Sequence, residues 1–322
     1  MSDLPIDSLL PEIAATLRDG QRLILGAPPG AGKTTRVPLA LAGFLEGFDA
    51  FPGRVVMLEP RRIAARMAAT RMASTLGEKL GQHIGLSTRV DRQVSRDTKV
   101  EVITDGLFTR RLLADPELSG VSVVIFDEIH ERSLSADLGL ALALETQGAL
   151  RDDLHLMAMS ATLDTADMAG KLDAPVIESA GRQYPIETRY LGRTQDRLED
   201  QMARAIARAV RETDGSILAF LPGAGEIRRT AERLEVGDDI LIAPLYGALS
   251  PREQDAAVQP RADGGRKIVL ATDIAESALT IDGVSVVVDS GYARVPRFVP
   301  GGLSTELQTV RAARANVDQR RG

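Results

Sequence analysis

The stretch Gly26-Ala-Pro-Pro-Gly-Ala-Gly-Lys33-Thr34-Thr35 decides the fold. An apolar run, Arg22–Ala27, leads into it, and a helical pattern follows it. Glycines let a backbone wrap an anion, and the N–H groups of a helix N-terminus point at what is wrapped. Gly30 and Gly32 supply the wrapping here. Lys33 is placed to reach the β- and γ-phosphates of a nucleotide, and Thr34, followed by Thr35, to hold Mg2+. Ala27 stands where such a loop opens, a position that accepts a small residue. The loop alone does not separate a kinase, a GTPase or a mechanical motor.

Working outward, short β-branched runs alternate with helical stretches. Strands are expected at Arg22–Ala27, Arg54–Pro60, Lys99–Thr104, Ser122–Glu128, Leu154–Ser160, Ile217–Leu221, Ile240–Pro244, Lys267–Thr272 and Val284–Asp289. Helices are expected at Arg61–Leu76, Leu134–Gln147 and Arg197–Glu212. This alternation predicts an α/β fold of parallel sheets flanked by helices, with ligands beyond the carboxyl ends of the strands. The segment near Gly181–Pro185 interrupts the pattern, and a new series begins after it. Two domains are therefore expected, residues 1–182 and 183–322.

A second strand end narrows the chemistry. Val123-Val-Ile-Phe-Asp127-Glu128-Ile-His130 is an apolar run that stops on adjacent carboxylates. Asp127 can hold the hydration shell of Mg2+, and Glu128 can polarise an attacking water. A paired Asp-Glu suits hydrolysis better than transfer to a second substrate. His130, two residues beyond Glu128, falls beside the γ-phosphate position.

Composition sets limits. The chain has 322 residues, 44 % of them hydrophobic, enough for a core in each domain. No apolar run approaches the ~20 residues of a membrane span. The start, Met1-Ser-Asp-Leu-Pro, lacks the features of a secretory leader. Cysteine is absent, which excludes disulfides and thiolate metal sites and fits a cytoplasmic location. His83, His130 and His155 are too scattered for a zinc site. A net charge of −6 and 3 % aromatics argue against bulk capture of nucleic acid or a platform of stacked bases. Contacts to a strand would have to be local.

At this point the chain resembles the DEAH group of superfamily 2 helicases, most closely the bacterial HrpB type. The resemblance runs through nine blocks in order: Gly26–Thr35, Leu58-Glu-Pro-Arg61-Arg62-Ile-Ala-Ala, Thr104-Asp105-Gly106, Asp127-Glu-Ile-His130, Ser160-Ala161-Thr162, Phe220-Leu-Pro-Gly223, Leu245-Tyr-Gly-Ala-Leu-Ser250, Ala271–Thr280 and Gln319-Arg-Arg-Gly322. It implies two tandem RecA-like domains that hydrolyse ATP with Mg2+ in the cleft between them. The motor would move on single-stranded RNA, or RNA duplexes with an overhang, and unwind them; DNA is possible and a membrane is not expected. Residue by residue, it implies that Lys33, Asp127, Glu128, His130 and Gln319 act on the γ-phosphate. Arg61, Arg62, Thr104 and Thr280 would contact the strand. Arg71 would lie against the adenine ring, and Asp282 would face the nucleotide. Ser160 and Thr162 would couple hydrolysis to movement. The stretch Ala293–Leu307, with Pro300-Gly301-Gly302 at its centre, reads as two extended arms around a turn, a hairpin that the resemblance implies helps separate strands.

The chain departs from the family at several points. Asp273 stands where Asn is usual, and Val258 where an aromatic often stacks on adenine, so base contact should be loose. The chain ends at Gly322, inside the last block, whereas the family continues with two arginine fingers and accessory domains. Arg320 and Arg321 are therefore expected to point elsewhere, on a frayed terminus, and this polypeptide to hydrolyse ATP weakly. The rival functions are a nucleotide-dependent clamp that binds a strand without unwinding it, and a DNA translocase.

Overall fold

The structure, a computed structural model, describes residues 4–161, 166–180, 185–192, 194–276, 281, 283–298 and 305–321. The chain divides into two compact units, Met1–Tyr184 and Pro185–Gly322.

The strands of the first unit are β1 (Arg22–Gly26), β2 (Arg54–Glu59), β3 (Ile84–Ser87), β4 (Arg92–Gln93), β5 (Val100–Thr104), β6 (Val121–Phe126), β7 (His155–Ser160) and β8 (Val176–Glu178). Its helices are α1 (Leu10–Gly20), α2 (Lys33–Leu41), α3 (Arg62–Thr75), α4 (Asp105–Ala114), α5 (Leu134–Ala149) and α6 (Ala166–Leu172). The sheet order is β4-β3-β5-β2-β6-β7-β1-β8, parallel throughout except for the edge hairpin β3–β4.

Successive side chains of a strand face opposite sides, and both sides are buried here. Leu23, Leu25, Val55, Met57, Val123 and Ile125 pack with α1, α2 and α3 in one core cluster. Ile24, Val56, Leu58, Val124 and Phe126 pack with α4 and α5 in another. This is why the central strands read as unbroken apolar runs rather than as alternating ones.

In the second unit β9 (Ser216–Phe220), β10 (Leu241–Leu245), β11 (Lys267–Ala271) and β12 (Val284–Asp289) form a parallel sheet in the order β10-β11-β9-β12. The helices are α7 (Leu198–Glu212), α8 (Ala224–Ala231), α9 (Pro251–Val258) and α10 (Arg314–Arg321). Met202, Ile206, Ile217, Ala219, Ile227, Ile268 and Leu270 join α7, α8, β9 and β11 in one core. Both units thus have the RecA-like arrangement of a parallel sheet with packed helices.

Helix α9 is closed at both ends. Ser250 and Glu253 form a reciprocal capping box at its start. At its finish the buried Lys267 Nζ donates to the carbonyls of Ala257, Val258 and Gln259, each at 2.8 Å. Val258 is 4 % exposed, so its side chain has no open face to offer a base.

Strands β13 (Tyr292–Phe298) and β14 (Thr305–Arg311) pair antiparallel, the two arms of the expected hairpin, and its turn lies outside the described residues. Phe298 and Leu307 are exposed on it. Among the described residues no helix is long and apolar enough to cross a membrane.

Candidate functional site

The two blocks that end on chemistry follow β1 and β6, with β7 between them. All three strands are parallel, so their carboxyl ends share one edge. Gly30 (φ 77) and Gly32 (φ 94) take left-handed conformations that let the loop turn back over the start of α2. Gly32 caps α2 without a side chain, which leaves the first N–H groups of that helix to an anion. The loop is braced from outside. Ile6 N donates to the Ala31 carbonyl at 3.1 Å, and a Cβ on Gly32 would lie 2.8 Å from Leu4 Cδ1.

From this loop two side chains reach the end of β6. Thr34 Oγ1 donates to Asp127 Oδ2 at 2.6 Å. Lys33 Nζ donates to Glu128 Oε1 at 3.0 Å. Thr35 turns back instead, its N–H donating to the Gly32 carbonyl at 3.2 Å. Asp127 is fixed in turn by its N–H, which donates to the Leu58 carbonyl at 3.2 Å.

Electrostatics follow from burial. Burial alone would lower the Lys33 pKa, but the Asp127 and Glu128 carboxylates outweigh it and hold the amine above its ordinary value. Burial raises the Asp127 pKa, with Lys33 opposing. His130 is pushed down by burial and then by Lys33, so its imidazole is neutral at pH 7. The Ala161 N–H lies 3.4 Å from His130 Nδ1. His130 Nδ1 also stands 3.3 Å from Glu128 Oε2. The histidine thus touches both the Asp127-Glu128 block and Ser160-Ala161. Ser160 is buried at the end of β7, and its carbonyl accepts from Ala27 N at 2.9 Å.

Sequence reasoning gave no role to Glu59, the last residue of β2. It is 0 % exposed, and neither of its carboxyl oxygens has a hydrogen-bond partner. Burial, with Asp127 and Glu128 nearby, pushes its pKa well up. The signal was present in the sequence as a carboxylate between an apolar strand and a proline.

These residues fit a magnesium nucleotide. Thr34 and Asp127 offer adjacent hard oxygens. Lys33 is a buried cation at the mouth of a glycine loop, and Glu128 Oε2 is buried with His130 Nδ1 3.3 Å away. Among the described residues no three His, Cys, Asp or Glu side chains gather into a metal cage.

A second arrangement occupies the same sheet edge. Strands β2 and β5 are neighbours, with Glu59 opposite Thr104. Each is followed at this edge by a helix, α3 on one face of the sheet and α4 on the other. Arg61 caps α3 and Thr104 caps α4, and neither side chain takes up the helix N–H groups. Arg62 is exposed. Two uncapped helix starts beside arginines suit the oxygens of successive phosphates. Arg61 Nη2 donates to Glu131 Oε2 at 3.3 Å, a contact the sequence did not reveal.

The remaining expected residues lie elsewhere. Arg71 is on the exposed face of α3. Gln319 is half-buried on α10 of the second unit. Thr162, Thr280 and Asp282 lie outside the described residues. Asp273 opens a one-turn 3-10 helix and is exposed. Arg320 corrects the expectation of a frayed terminus. Its side chain is 1 % exposed and bonded to Glu276 and Asp289, with its guanidinium carbon 5.0 Å from the centre of the Phe220 ring.

Comparison with known proteins agrees with this arrangement. Residues 11–169 match the family described as DEAD/DEAH box helicase, and residues 199–322 match the helicase conserved C-terminal domain. The chain is 48 % identical over 326 residues to the ATP-dependent RNA helicase HrpB of Escherichia coli K12, covering 100 % of this chain and 40 % of that one. It is 35 % identical over 329 residues to the pre-mRNA-splicing factor ATP-dependent RNA helicase prp22 of Schizosaccharomyces pombe, covering 99 % and 28 %. A crystal structure of the Escherichia coli DEAH/RHA helicase HrpB superimposes with a TM-score of 0.91 at 47 % identity, covering 99 % of this chain and 41 % of that one. The chain therefore spans well under half the length of these relatives.

Proposed function

Because the chain belongs to the DEAD/DEAH box helicases, we propose that it carries the ATP-driven motor of an RNA helicase. Two pairs on the carboxyl edge support this reading, Lys33 with Glu128 and Thr34 with Asp127. Together they place an amine, a hydroxyl and two carboxylates around one glycine loop. In the mechanism Lys33 and the loop N–H groups take the β- and γ-phosphates. Thr34 and Asp127 would hold Mg2+ through its water shell, and the ion would supply neutralisation of phosphate charge there. Glu128 accepts the proton of the attacking water, and His130 keeps it oriented from its place beside Ala161. Arg71 would serve the adenine; Gln319 and Asp282 would serve the nucleotide from the second unit.

The strand reading rests on Arg61, Arg62 and Thr104 at the starts of α3 and α4, with Thr280 as the second unit's contact. Phosphate contacts carry no sequence information, so binding should be indifferent to sequence. ATP turnover measured with and without single-stranded RNA tests this. The double variant Arg61→Ala, Arg62→Ala should lose the stimulation by RNA. Equal stimulation in the double variant and in the unaltered chain would remove the strand role from these arginines.

A further inference from the structure

Beyond Glu128 the chain makes an unusual short run. Glu128 (φ 51) and Arg132 (φ 52) both take left-handed conformations, which cost a residue with a side chain. Between them lies one 3-10 turn, Ile129–Glu131. Such a run persists only when its surroundings hold it, and three contacts do so. Glu131 Oε2 accepts from Arg61 Nη2 at 3.3 Å. Arg132 pairs with Asp137 at 3.0 Å. Ser133 Oγ donates to Asp105 Oδ2 at 2.9 Å and caps α5. The first and last of these anchors stand at the strand-binding edge, where Arg61 opens α3 and Asp105 opens α4.

Glu131 does to Arg61 what a phosphate oxygen would do. It sets an anionic oxygen against a guanidinium that is 24 % exposed. Its other oxygen, Oε1, is buried with no partner, so the protein grips this carboxylate incompletely. An arginine that turns to a backbone phosphate must loosen Glu131, and Glu131 is one short turn from Glu128.

We propose that Glu131 is a positioning residue. It holds Arg61 while no strand is bound, yields it to a strand phosphate, and so passes strand occupancy along Ile129–Glu131 to Glu128. The proposal rests on the reading of Arg61 as a strand contact.

The test is anisotropy titration of a labelled single-stranded RNA without nucleotide. The proteins are the unaltered chain, Glu131→Gln, Arg61→Ala and the double variant, each checked for an unchanged melting profile. A competing carboxylate predicts that Glu131→Gln binds RNA more tightly, by about two- to fivefold for a partly exposed pair. Arg61→Ala should bind less tightly, and the double variant should match Arg61→Ala. A merely structural role for Glu131 would weaken binding instead. In ATP turnover, Glu131→Gln should show a smaller ratio of RNA-stimulated to RNA-free rate. Unchanged or weaker binding by Glu131→Gln, beside a weakened Arg61→Ala, overturns the latch and leaves the strand reading standing. Tightening that persists in the double variant is general charge repulsion and also overturns it. An unchanged stimulation ratio overturns the link to Glu128. Arg61→Ala binding RNA like the unaltered chain removes the strand reading and the latch together.

Discussion

Lys33 Nζ lies 3.0 Å from Glu128 Oε1, and the two side chains are 5 % and 4 % exposed. The amine assigned to phosphate is held by the carboxylate assigned to water. A phosphate that draws Lys33 toward itself would therefore release Glu128 as the base is needed. The pair also explains how two buried charges coexist in the chain without nucleotide.

The first prediction separates the two partners. Lys33→Ala should lose Mg-ATP binding, because backbone donors alone do not neutralise the phosphate charge. It should also lower stability by about 3 kcal/mol, since a buried carboxylate is left without its cation. Glu128→Gln should keep ATP binding and lose turnover. Fluorescent-nucleotide titration, melting and phosphate release measure the three effects. Wild-type turnover in Glu128→Gln would mean that another group is the base.

The second concerns Glu59, whose pKa is pushed well above the ordinary glutamate value because it is wholly buried beside Asp127 and Glu128. For an acid raised in the folded state, stability from the site is complete below about pH 4.5 and is lost as pH rises through the raised value. Glu59→Gln escapes that loss. In metal-free buffer its melting temperature should exceed that of the unaltered chain by a margin that grows from pH 5 to pH 8. Each kcal/mol corresponds to about 2–4 °C for a chain of this order. A margin independent of pH would show that Glu59 is ionised in the folded chain.

The third prediction concerns Arg320, bonded to Glu276 and Asp289 while almost wholly buried. Arg320→Ala leaves two acids without their cation and should destabilise the second unit by about 3–5 kcal/mol. Arg320→Lys should recover little, because a lysine cannot reproduce the fork that spans both partners. Urea unfolding followed by a probe in the second unit reads this out. An Arg320→Ala chain as stable as the original would return Arg320 to the role of a loose end.

The fourth concerns base selectivity. Val258 is buried, and Arg71, proposed above for the adenine, is exposed on α3. GTP and CTP should bind within about tenfold of ATP, a gap near 1.4 kcal/mol. Titrating each nucleotide against the same protein decides it, and a much larger preference for ATP would point to a base reader elsewhere.

Nearly all the central framework was legible in the sequence, because strands buried on both faces must be apolar throughout. The strands expected at Arg22–Ala27, Arg54–Pro60 and Ser122–Glu128 are β1, β2 and β6, with ends shifted by a residue or two. The short strands β3, β4 and β8 were not legible. Two to four residues at a sheet edge carry too little periodicity to stand out. Glycine loops and paired acids announce themselves because their chemistry needs fixed neighbours in sequence. The bonds from Arg61 to Glu131, and from Arg320 to Glu276 and Asp289, join residues far apart in the chain, and no local pattern encodes them.

The phosphate loop hangs on β1, which pairs with β7 on one side and β8 on the other. Residues 22–26 therefore wait for residues 155–178 before either flank has a partner. On a ribosome the loop's supporting strand is made early and joined late, after nearly all of the first unit has emerged. Its apolar Leu23, Ile24 and Leu25 stay unpaired meanwhile, and parallel pairings of such long range form slowly. A chain released before residue 155 would carry the whole glycine motif and have no strand to hold it in shape.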